Sequence, residues 1–287
     1  MIRPCLLRVA CPDFTGVQTM ILPPDYHIHT CFSCDSETEM EAACEAAIAR
    51  GLSEIAFADH ADFEPLDSCC GFLRPADYLS TIECCRRRYG HRLTIRAGVE
   101  VGEAHVYRDQ VAALLDTHEF DVVLGSLHWI GGRLHCDGHY FDGRSLDDGL
   151  RVYLKHLARL AAEADYDVLA HFDTVRRAAA KAFGVTRLDY APHKETILGT
   201  LRTLVERGKG LEVNTVTCRR GMGDPSPPLQ ILRWYRELGG EILTFGSDAH
   251  TAGAIASHFD VALEMARAVG FTRVATFEQR QIHWMRI

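Results

Sequence analysis

Short apolar or β-branched runs alternate with longer amphipathic stretches along most of the chain. Apolar residues recur at helical spacing in stretches such as Thr38–Arg50, Leu146–Ala164 and Glu195–Arg207. This alternation indicates a parallel sheet joined by crossover helices. Since it repeats without a shift in composition, we predict an α/β protein with one closed, distorted (β/α)7 TIM-like barrel. The candidate strands are Tyr26–Thr30, Glu54–Asp59, Thr94–Val101, Asp121–His128, Asp167–His171, Gly210–Asn214 and Ile242–Ser247.

The barrel is predicted to occupy residues 25–287 as a single domain. Residues 1–24 have no clear periodicity and are predicted to form an N-terminal extension whose order the sequence does not define. Met20 is an alternative start that would place the first strand close to the N-terminus. Arg219–Pro228 is rich in Gly and Pro and is predicted to be a long loop after the sixth strand.

The composition excludes several classes of function. A net charge of -8 and a pI near 6.0 argue against partners that are polyanionic, namely nucleic acids and membrane surfaces. No apolar run reaches the roughly 20 residues of a membrane span, and no signal peptide is evident, so we expect a cytoplasmic protein. The 11 cysteines are predicted to be reduced thiols. Cys31 and Cys34 form a C-x-x-C, but no second such motif completes a zinc tetrad.

Residues that commonly bind metals stand at the ends of nearly all the candidate strands. The ends of parallel strands meet at one face of a barrel, where functional residues collect. His27 and His29 alternate along the first strand and therefore point to the same face. Taken singly, such residues are as easily packing or helix-capping groups, but their joint placement predicts a metal site. The strand ends carry His27, His29, His60, Glu100, His128, His171, Asp248 and His250, with six of the 15 histidines among them.

The ordered motifs resemble the polymerase and histidinol phosphatase (PHP) superfamily. The series is HIHT, ADH, GVEV, SLH, AHFD and GSDAH, and it spans roughly residues 25–250. Softer matches, including PPDYHIHT and LEVNT, favour the histidinol-phosphate phosphatase branch. The resemblance implies hydrolysis of a small phosphate monoester, L-histidinol phosphate, to L-histidinol and phosphate in histidine biosynthesis.

The resemblance also implies three divalent metals per chain. His27, His29, Glu100 and Asp248 would hold the first, and Glu100 would bridge to a second held by His128 and His171. Asp35, His60 and His250 would hold the third, with Asp35 standing where some members of the superfamily have histidine. Mixed imidazole and carboxylate ligands suit Zn, Mn or Fe. Glu100, Asp248 and His250 are the predicted catalytic residues, and a hydroxide that bridges two metals is the predicted nucleophile.

A dianionic phosphate also requires positive charge beyond the metals. Arg176 and Arg177 follow the fifth-strand ligand, and Arg219 and Arg220 follow the sixth strand. The planar guanidinium matches phosphate oxygens, so we predict that one arginine of each pair binds substrate. Asn214 either orients phosphate or a ligand, or satisfies a buried loop.

Other functions remain open at this stage. A broader PHP phosphoesterase would cleave nucleotides or other small esters. A polymerase-associated nuclease is disfavoured by the acidic composition. Metal-dependent amidohydrolases also use H-x-H barrels, but they often need a carboxylated lysine, and no candidate strand here ends in lysine. A non-enzymatic metal-binding module is the remaining alternative.

Overall fold

The computed structural model describes residues 22–287. Residues 1–21, which include Met20 and most of the predicted N-terminal extension, lie outside the described residues. Eight strands form one parallel sheet and two more form an antiparallel hairpin. The parallel strands are β1 Asp25–Ile28, β2 Glu54–Phe57, β3 His60–Ala61, β4 Thr94–Gly102, β5 Val122–Ser126, β6 Val168–Leu169, β7 Gly210–Asn214 and β8 Leu243–Gly246; the hairpin strands are β9 Arg273–Glu278 and β10 Gln281–Arg286.

The parallel sheet closes on itself. Its strand order is β2-β1-β8-β7-β6-β5-β4-β3, and β2 also pairs with β4. Since β2 and the two-residue β3 follow one another along the same edge of β4, they occupy one position in the barrel. The result is a barrel with seven strand positions, which confirms the predicted architecture.

Helices cover the outside of the barrel and bury their apolar faces against it. In α4, for example, Leu150, Leu154, Leu157 and Leu160 are buried at helical spacing, and Ser145 caps the N-terminus by accepting from the Asp148 amide. No helix among residues 22–287 is long and apolar enough to cross a membrane. The helices are α1 Met40–Ala49, α2 Pro75–Tyr89, α3 Arg108–Thr117, α4 Leu146–Glu163, α5 Arg176–Phe183, α6 Lys194–Glu206, α7 Val216–Arg219, α8 Leu229–Glu237 and α9 Phe259–Ala268.

The C-terminal hairpin, which the sequence pattern did not predict, lies against the end of the barrel where the strands begin. Phe277 of β9 packs on Tyr26 of β1 with ring centroids 6.1 Å apart, and its amide donates to the Tyr26 hydroxyl. Arg280 forms an ion pair of 3.0 Å with Asp167, which directly precedes β6. The hairpin therefore covers the amino-terminal ends of the strands, and a substrate site falls to the opposite face.

Five strands are shorter than predicted, and β5 and β6 differ most from the prediction. The sequence pattern predicts extended segments over Asp121–His128 and Asp167–His171, but β5 ends at Ser126 and β6 at Leu169. His171 has a positive φ of 25°, and its amide donates to the Glu212 side chain at 2.7 Å instead of to a neighbouring strand. The ligand-type residues here thus lie on loops that turn across the barrel mouth.

The prediction that the cysteines are reduced is wrong for Cys34 and Cys69. They form a disulfide with their Cα atoms 5.1 Å apart. Cys34 lies between β1 and α1, and Cys69 lies between β3 and α2, so the bridge joins two loops at the mouth of the barrel. The spacing of the cysteines gave no sign of this, because the loops meet only in the folded barrel.

Candidate metal centre and substrate cavity

The nine predicted metal ligands lie together at the carboxyl ends of the strands. His27 is in β1, His60 in β3 and Glu100 in β4, and the other ligands stand in the loops that follow β1, β5, β6 and β8. Four groups of three residues overlap in this cluster. Within each group, the three possible ligand atoms lie within 4.8 Å of one another. These groups are His29, His60 and His250; His27, His171 and Asp248; His27, His29 and Glu100; and His60, Glu100 and His128.

Glu100 lies at the centre of this cluster. Its side chain is buried, and the nitrogens of five imidazoles from four strand ends surround its two carboxylate oxygens. His171 Nε2, His128 Nε2 and His27 Nε2 lie 2.7, 3.2 and 3.5 Å from Oε1, and His60 Nδ1 and His29 Nε2 lie 2.8 and 3.7 Å from Oε2. A carboxylate in this position can bridge two ions.

A second group of ligands lies on the more open side of the cluster. Asp248 Oδ1 is 3.4 Å from His29 Nε2 and 3.4 Å from His250 Nδ1. Asp35 Oδ2 is 3.0 Å from His250 Nε2, and Asp35 Oδ1 is 3.8 Å from His60 Nε2. Asp35 and His250 are more exposed than Glu100, so this side faces the solvent-accessible cavity.

The histidines of β1 are arranged as metal ligands. His27 Nδ1 donates to Glu212 Oε1 at 2.7 Å, and His29 Nδ1 lies 3.0 Å from Ser33 Oγ. On each ring the other nitrogen, Nε2, is buried and has no hydrogen-bond partner among residues 22–287. Metal-binding histidines typically use one nitrogen for an orienting hydrogen bond and the other for the ion. The residues present therefore fit divalent metal ions.

In the cluster without bound ions, the imidazoles and carboxylates shift one another's pKa values. Burial alone would raise the pKa of Glu100, but the charges of His128, His27 and His60 hold that pKa well below its usual range. Burial, followed by repulsion from His250 and His60, lowers the pKa of His29 to about 3. Glu100 is therefore ionised and His29 neutral at pH 7. Nearby carboxylates outweigh burial and raise the pKa of His27, His60 and His128, so these rings must release a proton when they bind a metal.

Several carboxylates that orient the ligands were not recognised in the sequence. Glu212 accepts from His27 Nδ1, and Asp62 Oδ1 lies 3.3 Å from His128 Nδ1. Asp59 accepts from the Ser33 hydroxyl at 2.7 Å, while Glu103 accepts from the His128 amide. Their presence could have been inferred from a carboxylate within an otherwise apolar strand, as in Gly-Leu-Glu-Val-Asn of β7, because a buried charge requires a partner.

Two glycines make room for these orienting carboxylates. A Cβ atom on Gly102 would lie 2.0 Å from Asp62 Oδ1, and one on Gly246 would lie 1.9 Å from Glu212 Oε1. Both glycines belong to the motifs that carry the ligands, GVEVG and GSDAH. Their role is to allow close approach of side chains to the strand backbone.

A cavity of about 460 Å³ opens above the cluster. Arg177, Arg219 and Arg220 are among its lining residues, and Arg177 Nε is buried and has no hydrogen-bond partner within the described part of the chain. Burial, followed by the charge of Arg177, lowers the pKa of Arg220. Two adjacent cations beside the cluster of candidate metal ligands form a suitable site for an anion.

The other residues of the predicted substrate set have partners within the protein. Arg176 does not line the cavity; its Nε pairs with Asp173 at 2.9 Å and its Nη2 donates to the Pro225 carbonyl at 2.8 Å. Arg219 donates to the carbonyls of Ser247 and Asp248 at 2.8 and 2.9 Å. Asn214 is buried, donates to Glu212 at 3.0 Å and accepts from the Val216 amide.

Comparison with known proteins agrees with the fold and the site. The PHP domain family model matches residues 25–216. Curated relatives include histidinol-phosphatase of Lactococcus lactis, 28% identical with 90% of this chain and 95% of the relative covered. Histidinol-phosphatase of Bacillus subtilis is 24% identical, with 84% of this chain and 98% of the relative covered.

A solved structure extends the comparison. It is the crystal structure of histidinol phosphate phosphatase from Lactococcus lactis, complexed with zinc, L-histidinol and phosphate. The two chains share 27% identity and superpose with a TM-score of 0.83 over 91% of this chain and 98% of that one. The resemblance inferred from the motifs is thereby confirmed, and the chain belongs to the PHP domain family.

Proposed function

We propose that this protein is a metal-dependent phosphatase that hydrolyses L-histidinol phosphate to L-histidinol and phosphate. The observation that carries the proposal is the cluster around Glu100, whose cavity Arg177 also lines. Among residues 22–287, the Nε2 atoms of His27 and His29 and the Nε of Arg177 are buried and have no hydrogen-bond partner. The similarity to a phosphatase crystallised with L-histidinol and phosphate supports the substrate.

We propose that the cluster holds three divalent ions, which are Zn, Mn or Fe, in the ligand sets implied by the family resemblance. When bound, such ions lower the pKa of water and neutralise phosphoryl oxygens. The protein contributes the geometry: Glu212 and Ser33 fix the ring orientations of His27 and His29 through their Nδ1 atoms. Metal analysis of the purified protein by mass spectrometry tests the number and identity of the ions.

We propose different roles for the predicted arginines. Arg177 and Arg220 line it and would bind the phosphate oxygens. Arg176 and Asn214 would support the walls through their buried hydrogen bonds, and Arg219 would position the Asp248 loop. Asp248 and His250 line the cavity beside the arginines, and with Glu100 they are the residues we propose to act at the reacting phosphate.

The test is phosphate release by the Mn-reconstituted protein from a panel of monoesters that includes L-histidinol phosphate, with a chelator control. Chelator-sensitive activity with strong preference for L-histidinol phosphate is expected. Activity spread over other esters, or centred on nucleotides, would replace this substrate with the broader PHP phosphoesterase function. Fractionation of the native cell tests the expected cytoplasmic location.

Release of no phosphate would favour the amidohydrolase alternative. The structure offers little support for that chemistry, since none of the described residues that line the cavity is lysine. Lys181 lies in α5, where its Nζ is 3.8 Å from Asp137.

A further inference from the structure

The candidate cavity carries opposite charges on opposite sides of the barrel. Arg177 and Arg220 come after β6 and β7, whereas Asp67 comes after β3. The barrel position shared by β2 and β3 is separated from β6 by β4 and β5. In the other direction around the barrel, it is separated from β7 by β1 and β8. The loop of Asp67 therefore begins at a strand end opposite those that precede the arginines, and all three residues line the same cavity.

Asp67 differs from the other carboxylates that line the cavity. Asp35, Glu100 and Asp248 are predicted metal ligands, and Asp62 contacts the ring of His128. Within the described residues, the hydrogen bonds of the Asp67 carboxylate are with the Trp129 indole N–H and the Cys69 amide, the latter at 2.7 Å. A carboxylate has about four acceptor positions, so Asp67 retains acceptor capacity towards the cavity.

Asp67 is also held firmly in place. Cys69, two residues further on, is bridged to Cys34, which directly precedes the predicted ligand Asp35. The disulfide thereby ties the loop of Asp67 to the loop of Asp35. Trp129, which directly follows the predicted ligand His128, fixes the carboxylate from a second side.

We propose that Asp67 is a specificity-determining residue that binds the positively charged, amine-bearing end of the phosphate ester. The inference rests on the proposed function, because it requires phosphate to occupy the metal and arginine side of the cavity. The opposite end of the ester then reaches the Asp67 side, where an ammonium or imidazolium group gains a charge-assisted hydrogen bond. Phosphate monoesters of amino alcohols are the substrate class that this arrangement selects.

The test compares 3-aminopropyl phosphate with propyl phosphate, and includes L-histidinol phosphate. The wild-type protein is expected to prefer the amine-bearing esters. Asp67→Asn should lower the ratio of kcat/KM between aminopropyl and propyl phosphate by roughly 10- to 100-fold. The matched control is Asp116→Asn on the exposed side of α3, which should leave that ratio as it is in the wild-type protein.

A second variant separates specificity from loop structure. Trp129→Phe removes the indole donor but leaves the carboxylate, so it should retain the preference for the amine. If Asp67→Asn lowers kcat/KM equally for both esters, Asp67 only supports the loop. The same conclusion follows if Trp129→Phe loses the preference for the amine while its disulfide is intact. Hydrolysis of both esters without preference by the wild-type protein would overturn this inference alone, whereas absence of all phosphate release would overturn the proposed function with it.

Discussion

Glu212 Oε1 accepts a 2.7 Å hydrogen bond from His27 Nδ1, although the two residues are 185 positions apart in the sequence. The same carboxylate accepts from the His171 amide through Oε2, also at 2.7 Å. One side chain of β7 thus orients ligands that belong to β1 and to the loop after β6.

Replacing Glu212 with Gln should therefore weaken metal binding without removing any ligand. The neutral amide is a weaker acceptor for His27 Nδ1, and loss of such an orienting carboxylate typically costs 10- to 100-fold in metal affinity or activity. Competition with a chelator measures the affinity. Glu237→Gln, at an exposed position of α8, is the control, and equal affinity in both variants would contradict the orienting role.

Glu100→Gln should reduce metal binding and turnover more than Glu212→Gln does. Five imidazoles lie within 3.7 Å of the Glu100 carboxylate, and an amide cannot supply the negative charge that the proposed bridging of two ions requires. We expect bound metal to decrease and turnover to fall by more than about 100-fold. Metal analysis and phosphate release check this, with Glu119→Gln as a surface control. Full activity with all metal retained would exclude a bridging role.

The neighbours Arg176 and Arg177 should respond in opposite ways to substitution by Met. Arg177→Met removes a cavity-lining guanidinium, so KM should rise by about 10- to 100-fold with an unchanged melting temperature. Arg176→Met leaves Asp173 buried without its ion-pair partner and should cost about 3–5 kcal/mol in the free energy of unfolding. Steady-state kinetics and urea unfolding distinguish the two. The assignment fails if both variants show the same pattern.

Loss of the Cys34–Cys69 disulfide should destabilise the protein. The bridge closes a loop across a sequence separation of 35 residues, for which chain entropy predicts roughly 3–4 kcal/mol. Cys34→Ser and Cys69→Ser should lower the melting temperature equally, whereas Cys84→Ser, at an exposed thiol, should not. Non-reducing peptide mapping tests the bridge directly: free thiols at both positions would contradict it.

His105 should make stability depend on pH. Burial, with repulsion from Arg159 and His156, lowers its pKa to about 4 in the folded protein, against about 6.5 when unfolded. Between these values the unfolded chain binds the extra proton, so stability falls as the pH falls from 6.5 through 4. The full contribution is on the order of 3 kcal/mol.

His105→Gln tests this dependence. The difference in unfolding free energy between the wild-type protein and the variant should shrink from pH 7 to pH 4.5, measured with chelator present in all samples. His91→Gln, which changes an exposed histidine, is the control. A pH-independent difference for His105→Gln would show that its imidazole does not titrate as described.

The sequence by itself determined the barrel class and the convergence of His27, His29, Glu100 and the other predicted ligands. The physical reason is that strand–helix alternation requires parallel strands, and parallel strands end at one face of a closed barrel. Residue type and position along each strand were therefore sufficient to predict that eight of the nine ligands meet, whereas Asp35 was included because of the family resemblance.

Only the tertiary structure decided how these groups are supported. Arg176 and Arg177 are adjacent in sequence, but the direction of α5 buries one and turns the other to the cavity. Glu212, the Cys34–Cys69 bridge and the hairpin β9–β10 act through contacts with distant segments. Such contacts depend on which loops and strand ends lie close together in the folded chain. Local sequence patterns do not predict which distant segments come into contact.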